Sequence, residues 1–249
     1  MAPRLLLLAS AWATLSHALN PSCAPGGNFD LSPWNLQLPI GSTGSPTTIQ
    51  ASSLEGCSGY QDPGHHYFFT ESGDGALVMK VPGSPASSGC VTTTNSQHCR
   101  TELREAHPNN SWNPNNTINR LSVTLAVPQA DDSQHGTVIG QIHIDDSVSS
   151  KPVCELYYNS AGVIALGVEQ TRAGGNEIVK QIGSVTPGST FSYEIRYEKG
   201  VLSVSLNGGS LVSYSTYSLW APLSYFKVGN YNQGDSPSDV HFFSIAVQH

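Results

Sequence analysis

The sequence predicts an all-β protein in which two antiparallel sheets pack as a sandwich or jelly roll. Charged residues make up only 12% of the 249 residues, whereas Gly (24 residues) and Pro (16 residues) are plentiful. This composition is typical of short strands joined by many turns. Short stretches with strand-like alternation recur at fairly even spacing, and no segment longer than about ten residues has helical periodicity. Many short strands without helices are expected to form two packed sheets.

Residues 1–18 have the pattern of a secretory signal peptide. Arg4 gives a basic start, an apolar run extends from Leu5 to Leu15, and small residues precede the expected cleavage point after Ala18. The run is too short to span a membrane as a helix. We therefore expect a secreted, extracellular protein with a single domain over residues 19–249 and no membrane segment.

The strands can be predicted in order along the chain. Residues 34–38 are predicted as an N-terminal edge strand, and residues 67–70 and 76–81 as two strands around the turn at 72–75. Further strands are predicted at 100–105, 120–127, 136–144, 153–158, 163–169, 177–182, 192–198, 201–206, 209–214, 225–231 and 240–247. The turns at 198–200 and 207–209 are of the hairpin type.

Five cysteines in an exported chain predict disulfides with at least one cysteine left over. Cys90 and Cys99 bracket a polar loop and are expected to pair. Cys23 and Cys57 are a second expected pair. Cys154 lies in a strand-like segment, where a buried free thiol behaves as a small apolar side chain. The spacings do not match a zinc site.

Composition and short motifs also bear on partners. Asn109 and Asn115 begin glycosylation sequons, which marks their region as an exposed loop. The formal charge of -7 disfavours general binding to nucleic acid or anionic membranes. The pairs at 65–66 and 145–146 are adjacent on the chain and face opposite ways, so no metal site is predicted there. A structural Ca²⁺ in the loops stays open, and we expect a monomer that requires no cofactor.

Three predicted strands concentrate polar side chains on one face. Because side chains alternate along a strand, every second residue shares a face. The shared faces carry Arg100, Glu102 and Arg104; Gln141 and His143; and Tyr225, Lys227, Tyr231 and Gln233. In one sheet these faces would form a cationic surface suited to an extended polyanion. Glu102 is expected to hold both neighbouring guanidinium planes by charge-assisted bonds.

The opposite face of the third strand is mixed. Phe226 and Val228 are expected to anchor it to the core. Asn230 and Asn232 fall on the same face, which predicts that the C-terminal half of the strand is less buried or bends.

The three motifs together resemble those of polysaccharide lyase family 7, the alginate lyase type. They read RTELR at 100–104, QIH at 141–143 and YFKVGNYNQ at 225–233, with Val228 where the family usually has Ala. The resemblance implies a β-jelly roll with a concave substrate groove. It also implies β-elimination on 1,4-linked polyuronates of the alginate or polymannuronate type, giving 4,5-unsaturated oligosaccharides. A related family of glucuronan lyases shares the fold and much of the site, so a glucuronan substrate is the alternative.

The resemblance also implies roles for the residues. Removing the C5 proton of a uronate leaves a dianionic enolate, which Arg100 and Gln141 are expected to neutralise. Tyr231 can serve as both base and acid on mannuronate or glucuronate, whereas on guluronate His143 suits the base and Tyr231 the acid. Residues expected to bind neighbouring sugars or to fix the site are Glu102, Arg104, Tyr225, Lys227 and Gln233. The cations expected to favour a phenolate at Tyr231 are Arg104, Lys227 and a charged His143.

Two other classes of protein fit parts of the pattern. A glycoside hydrolase needs two carboxyl groups about 5–9 Å apart, and the candidates Glu102 and Glu155 are single, with Glu102 flanked by arginines. A non-catalytic carbohydrate-binding module would expose stacking aromatics without needing Gln, His, Tyr and Arg to converge. An unsaturated, ultraviolet-absorbing product distinguishes a lyase from both.

Overall fold

The computed structural model describes residues 18–249, and the regular secondary structure of this part of the chain is almost entirely strand. Its fifteen strands are β1 Trp34–Ser42, β2 Ser45–Ile49, β3 Phe68–Thr70, β4 Leu77–Val81, β5 Arg100–Glu105, β6 Arg120–Gln129, β7 Thr137–Ile144, β8 Pro152–Tyr158, β9 Val163–Val168, β10 Ile178–Ser184, β11 Phe191–Glu198, β12 Val201–Leu206, β13 Val212–Tyr214, β14 Ser224–Tyr231 and β15 Ser238–Gln248. Two helices of four residues, α1 Ala51–Leu54 and α2 Pro85–Ser88, lie in connecting loops.

The strands form two antiparallel sheets packed face to face as a β-jelly roll. The eight-stranded sheet has the order β10-β9-β8-β7-β14-β5-β1-β2, and the seven-stranded sheet has the order β13-β12-β11-β6-β15-β4-β3. Strands distant along the chain are neighbours in both sheets, as in β14, which lies between β7 and β5. The predicted all-β sandwich is confirmed, apart from the two short helices.

The core lies between the sheets and follows from period-two alternation. Strand β11 shows the rule most clearly, because Phe191, Tyr193, Ile195 and Tyr197 are buried and the residues between them are partly exposed. One apolar cluster includes residues from both sheets. Burying large apolar side chains in this way is the main source of stability of a sandwich.

The predicted N-terminal edge strand is an interior strand. Strand β1 pairs with β5 on one side and with β2 on the other, so β2 is the edge. The sequence of β2, SPTTI, lacks an apolar face and none of its side chains is fully buried. Its pairing depends on the hairpin with β1 rather than on its own pattern, which explains why it was not predicted.

The end of β14 was expected to be less buried or to bend. The lower burial is wrong, whereas the shift in the β7–β14 register between Val228 and Tyr231 is consistent with a bend. Asn230 and Asn232 are fully buried. The Asn230 amide accepts hydrogen bonds from Thr137 (2.5 Å) and Ser238 (2.8 Å) and donates to the Met79 carbonyl (2.9 Å). Because Met79 and Ser238 belong to the seven-stranded sheet, these amides connect the two sheets instead of facing solvent.

The cysteines behave as predicted. Cys23 pairs with Cys57 and Cys90 pairs with Cys99, while Cys154 is a buried free thiol. The predicted signal peptide lies outside the described residues except for Ala18. Within residues 18–249, no helix has the length and apolar character needed to cross a membrane.

Candidate active site

The three motif strands are neighbours at the centre of the eight-stranded sheet, in the order β7-β14-β5. Lys227 on β14 lies opposite Gln141 on β7 and opposite Arg104 on β5. On either side of Lys227 along β14, Tyr225 lies opposite His143 on β7 and Tyr231 lies opposite Arg100 on β5. The predicted convergence of three distant motifs on one surface is therefore present in the structure.

These side chains line a cavity of about 520 Å³ on the sheet. Residues from the three strands that line it are Arg100, Glu102, Arg104, Gln141, His143, Tyr225, Lys227 and Tyr231. Gly229 is required at the centre, because a Cβ there would lie 2.5 Å from the Thr101 carbonyl oxygen and 2.7 Å from the Glu102 Cα. The glycine permits the close approach of β14 and β5 beneath the cavity.

Glu102 is the buried anion of the site, but it does not hold both arginines as predicted. Its carboxylate accepts from Arg100 Nη1 at 3.1 Å and from Gln141 Nε2 at 2.5 Å, and it lies 3.4 Å from Lys227 Nζ. Burial raises the Glu102 pKa, but Lys227 and Arg100 together lower it below its usual value. A carboxylate that is ionised and surrounded by donors fixes their positions.

Gln141 and Lys227 each keep bonding capacity toward the cavity. The Gln141 amide has two N–H groups, and one of them donates to Glu102, so the other is free for a ligand. Burial lowers the pKa of Lys227 to about 8, against the opposing effect of Glu102. Lys227 is thus mostly charged at neutral pH but is poised near its titration point.

Arg104 has a different partner from the one predicted. Its guanidinium pairs with Asp146 at 2.8 Å and lies over the Tyr225 ring at 4.4 Å. The Tyr225 hydroxyl donates to the same Asp146 carboxylate at 3.0 Å, and the Tyr225 ring stacks on His143 at 5.1 Å. Asp146 therefore fixes Arg104 and Tyr225 at one end of the cavity.

Tyr231 lies against Arg100 rather than against the three cations predicted to favour its phenolate. The Arg100 guanidinium is 3.6 Å from the centre of the Tyr231 ring. The Tyr231 hydroxyl is 3.2 Å from the Ser96 hydroxyl. Burial raises the Tyr231 pKa above its usual value, although Arg100 opposes the shift. The phenol is therefore protonated at rest, which suits a proton donor.

His143 is held as a neutral imidazole with one defined tautomer. Burial, together with the nearby charge of Lys227, lowers its pKa well below the usual value. Its Nδ1 lies 2.8 Å from the Ile144 carbonyl oxygen, which can only accept, so Nδ1 carries the hydrogen. Nε2 is then the basic nitrogen, and His143 lines the cavity.

A group of half-buried acids at the β8 end of the cavity was not predicted as a unit. The Tyr157 hydroxyl lies 2.6 Å from Glu155 and 2.8 Å from Glu177. Burial raises the pKa of both carboxyls, that of Glu177 to about 8. Because one phenol hydrogen cannot serve two carboxylates, the group retains an extra proton at neutral pH, and Glu155 lines the cavity. Glu155 and Tyr157 lie on β8, whereas Glu177 directly precedes β10. They are far apart along the chain and are brought together by the pairing of strands in the sheet.

Gln233 is not brought to the cavity. Strand β14 ends at Tyr231, and the Gln233 amide donates to the neighbouring Asn232 carbonyl at 2.8 Å. The Gln233 backbone N–H donates to Asp131. Its position two residues beyond Tyr231 predicted a shared face, but the chain leaves the sheet before reaching it.

Sequence reasoning also missed Ser96 and His98. Both lie in the loop closed by the Cys90–Cys99 disulfide, which carries Ser96 to Tyr231 and Arg100. The paired cysteines marked this loop, but nothing in its composition indicated where it would lie. Among residues 18–249, no cluster of three or more His, Cys, Asp or Glu side chains could hold a metal ion.

Comparison with known proteins places this geometry in a family. A family model described as alginate lyase matches residues 29–249. An alginate lyase of Klebsiella pneumoniae is 28% identical, covering 91% of this chain and 91% of that protein. Family 7 alginate lyase A1-II′, solved in complex with a product, has a TM-score of 0.76 and 29% identity and covers 91% of this chain and 99% of that chain. For an alginate lyase from Pseudomonas aeruginosa the TM-score is 0.72, the identity 29% and the two coverages 88% and 99%.

A jelly roll whose cavity brings together arginines, a lysine, a neutral histidine and a protonated tyrosine is the structure of a polysaccharide lyase. The chain belongs to polysaccharide lyase family 7, the alginate lyases.

Proposed function

We propose that the protein is secreted and cleaves alginate, a 1,4-linked polyuronate, by β-elimination to 4,5-unsaturated oligosaccharides. One observation supports this most directly. A neutral imidazole, His143, and a protonated phenol, Tyr231, line the same cavity as Arg100 and Gln141. A proton acceptor, a proton donor and carboxylate-neutralising groups are the complement that β-elimination next to a uronate carboxylate requires.

Charge neutralisation comes first in the proposed reaction. The substrate carboxylate would accept from the free N–H of Gln141 and lie near the Arg100 guanidinium, which Glu102 holds in place. Neutralising the carboxylate stabilises the enolate formed when the C5 proton leaves. One preorganised donor of this kind is worth roughly 3–4 kcal/mol of the barrier. The chain's own residues supply these donors, so no cofactor is needed in the proposal.

Proton transfer then depends on the sugar. In guluronate the C5 proton and O4 lie on opposite sides of the ring, so His143 Nε2 takes the proton and Tyr231 gives its own to O4. In mannuronate the two lie on the same side, and Tyr231 would do both. The high pKa of Tyr231, which disfavours a phenolate base, and the unprotonated Nε2 of His143 favour the first arrangement. Guluronate-containing polymer is therefore the proposed preferred substrate, and glucuronan is the alternative.

Other properties of the protein are proposed from the chain itself. The N-terminal pattern supports export with cleavage after Ala18. Asn109 and Asn115 are exposed in the β5–β6 loop and are the proposed glycosylation sites. Action as a monomer is also part of the proposal.

The test uses polymannuronate, polyguluronate and glucuronan as separate substrates, with the ultraviolet absorbance of the unsaturated product as the signal. We expect Tyr231→Phe to lose at least about a hundredfold in kcat, because the proton donor is gone, while polymer still binds. Tyr214→Phe, on the other sheet, is the matched control and should behave as wild type. Wild-type rates in Tyr231→Phe would refute the role of Tyr231. Reducing ends without ultraviolet absorbance would indicate hydrolysis instead.

A further inference from the structure

The loop closed by Cys90 and Cys99 delivers one hydroxyl to the centre of the site. Ser96 Oγ lies 3.2 Å from the Tyr231 hydroxyl and 3.0 Å from Arg100 Nη2. The same oxygen lies 3.1 Å from the His98 carbonyl oxygen and 3.3 Å from the His98 backbone nitrogen. Ser96 also lines the cavity. Its hydroxyl therefore touches both the proposed proton donor and the cation beneath that donor's ring.

Counting hydrogens shows which bonds can coexist. Arg100 and the His98 N–H can only donate to Ser96, and the His98 carbonyl can only accept from it. The single Ser96 hydrogen therefore has two possible acceptors, the His98 carbonyl and the Tyr231 oxygen. While Tyr231 keeps its proton, the Ser96 hydrogen can stay on the carbonyl. Once Tyr231 has given its proton away, rotation of the hydroxyl brings that hydrogen to the phenolate oxygen.

We infer that Ser96 is a positioning residue that stabilises the Tyr231 phenolate left after proton transfer. The inference rests on the proposed role of Tyr231. No bond to Ser96 breaks in this step, because its hydrogen only changes acceptor. A charge-assisted hydrogen bond to an oxyanion is among the stronger hydrogen bonds in proteins.

Ser96 acts among other groups that face the phenol. Arg100 lies under the ring, and the His98 ring meets it edge-on at 6.2 Å. Glu155 and Glu102 raise the Tyr231 pKa, whereas Arg100 and the hydrogen bond from Ser96 lower it. Burial also lowers the His98 pKa, which favours a neutral ring. Ser96 and Arg100 are thus the two groups that oppose burial and the nearby carboxylates.

The disulfide explains how a loop residue is placed with this accuracy. The disulfide joins two cysteines that are nine positions apart, and the second of them, Cys99, directly precedes Arg100 at the start of β5. Within the loop, the Thr92 hydroxyl donates to the His98 carbonyl at 2.8 Å. Thr92 does not line the cavity, and like Ser96 it is half-buried and bonded to the same carbonyl. It is therefore a matched control for loop structure.

The test compares Ser96→Ala, Ser96→Thr and Thr92→Ala in the full secreted chain. We expect Ser96→Ala to lower kcat about tenfold on the preferred polymer, with KM nearly unchanged, because one charge-assisted bond is lost. Ser96→Thr keeps the hydroxyl and should restore most of the rate. Tyrosine ring-carbon NMR, with the Tyr231 resonance assigned from Tyr231→Phe, should show the Tyr231 pKa rising in Ser96→Ala alone.

The outcomes separate this inference from the proposed function. Wild-type protein that forms no unsaturated product would refute the lyase proposal itself. An active wild type with unchanged kcat and unchanged Tyr231 titration in Ser96→Ala would refute only the role of Ser96. Equal losses in Thr92→Ala and Ser96→Ala would also refute it, because the effect would then belong to the loop's structure.

Discussion

Glu102 links three of the functional side chains through one carboxylate. Arg100, Gln141 and Lys227 all contact it, and it is almost fully buried. Each of these donors comes from a different strand, so the carboxylate also connects β5, β7 and β14. A buried charge with partners on three strands couples the geometry of the site to the stability of the sheet.

We expect Glu102→Gln to destabilise the protein by roughly 3–5 kcal/mol, because it leaves two buried cations without their anion. The substitution should also lower the Lys227 pKa further, because in the wild-type protein the Glu102 carboxylate opposes the lowering caused by burial. Urea unfolding measures the loss. The double variant with Lys227→Met should be more stable than Glu102→Gln alone. A Glu102→Gln protein as stable as wild type would contradict this account of the site.

At the scale of strands, the half-buried acids beside β8 make stability depend on pH. Glu177 precedes β10, and burial next to Glu155 raises its pKa from 4.5 to about 8. Between these values the folded protein keeps a proton that the unfolded chain releases. The stability due to this group is therefore fully present below pH 4.5 and is lost as the pH rises toward about 8.

We expect Glu177→Gln to remove this dependence, because the amide never ionises. The variant should gain stability relative to wild type as the pH rises from 4.5 to 8, and the difference should be smallest at the acid end. Urea unfolding at several pH values measures it. A difference that does not change with pH would mean that Glu177 titrates normally in the folded protein.

At the scale of the whole molecule, the two disulfides have different consequences. Cys23–Cys57 spans 34 residues and Cys90–Cys99 spans nine. If a disulfide acts by lowering the entropy of the unfolded chain, the longer one adds about 4 kcal/mol to the free energy of unfolding and the shorter one about 2.5 kcal/mol. Only the shorter disulfide, Cys90–Cys99, holds a loop against Tyr231. Loss of the longer disulfide should therefore mainly lower stability, and loss of the shorter one should mainly lower activity.

We therefore expect Cys23→Ser/Cys57→Ser to lose more stability than Cys90→Ser/Cys99→Ser, but to keep its kcat at temperatures where it is folded. The second double variant should lose kcat although it is the more stable of the two. Thermal unfolding and product absorbance measure the two effects. Parallel losses of stability and kcat in both variants would argue against a local role for the Cys90–Cys99 loop.

Much of the fold was predictable because strands have a local pattern. Period-two alternation placed most strands, with bounds mostly within one or two residues, and it showed which faces of β5, β7 and β14 carry polar groups. Edge strand β2 has no apolar face and was missed. Asn230 and Asn232 were misjudged, because an amide is polar in sequence but can be buried once groups of the facing sheet satisfy it.

The chain by itself determined the all-β class, the Cys90–Cys99 pair across its short loop and the polar faces of β5, β7 and β14. These follow from alternation, turn chemistry and short spacing, all of which act over short distances along the chain. The meeting of the three strands at one site was implied by the resemblance to the family. The tertiary structure alone decided that Glu102 pairs with Lys227, that Asp146 holds Arg104, that Gln233 lies outside and that Ser96 reaches Tyr231. Such contacts depend on which strands become neighbours and where the loops between them lie, and both are set by packing between distant parts of the chain.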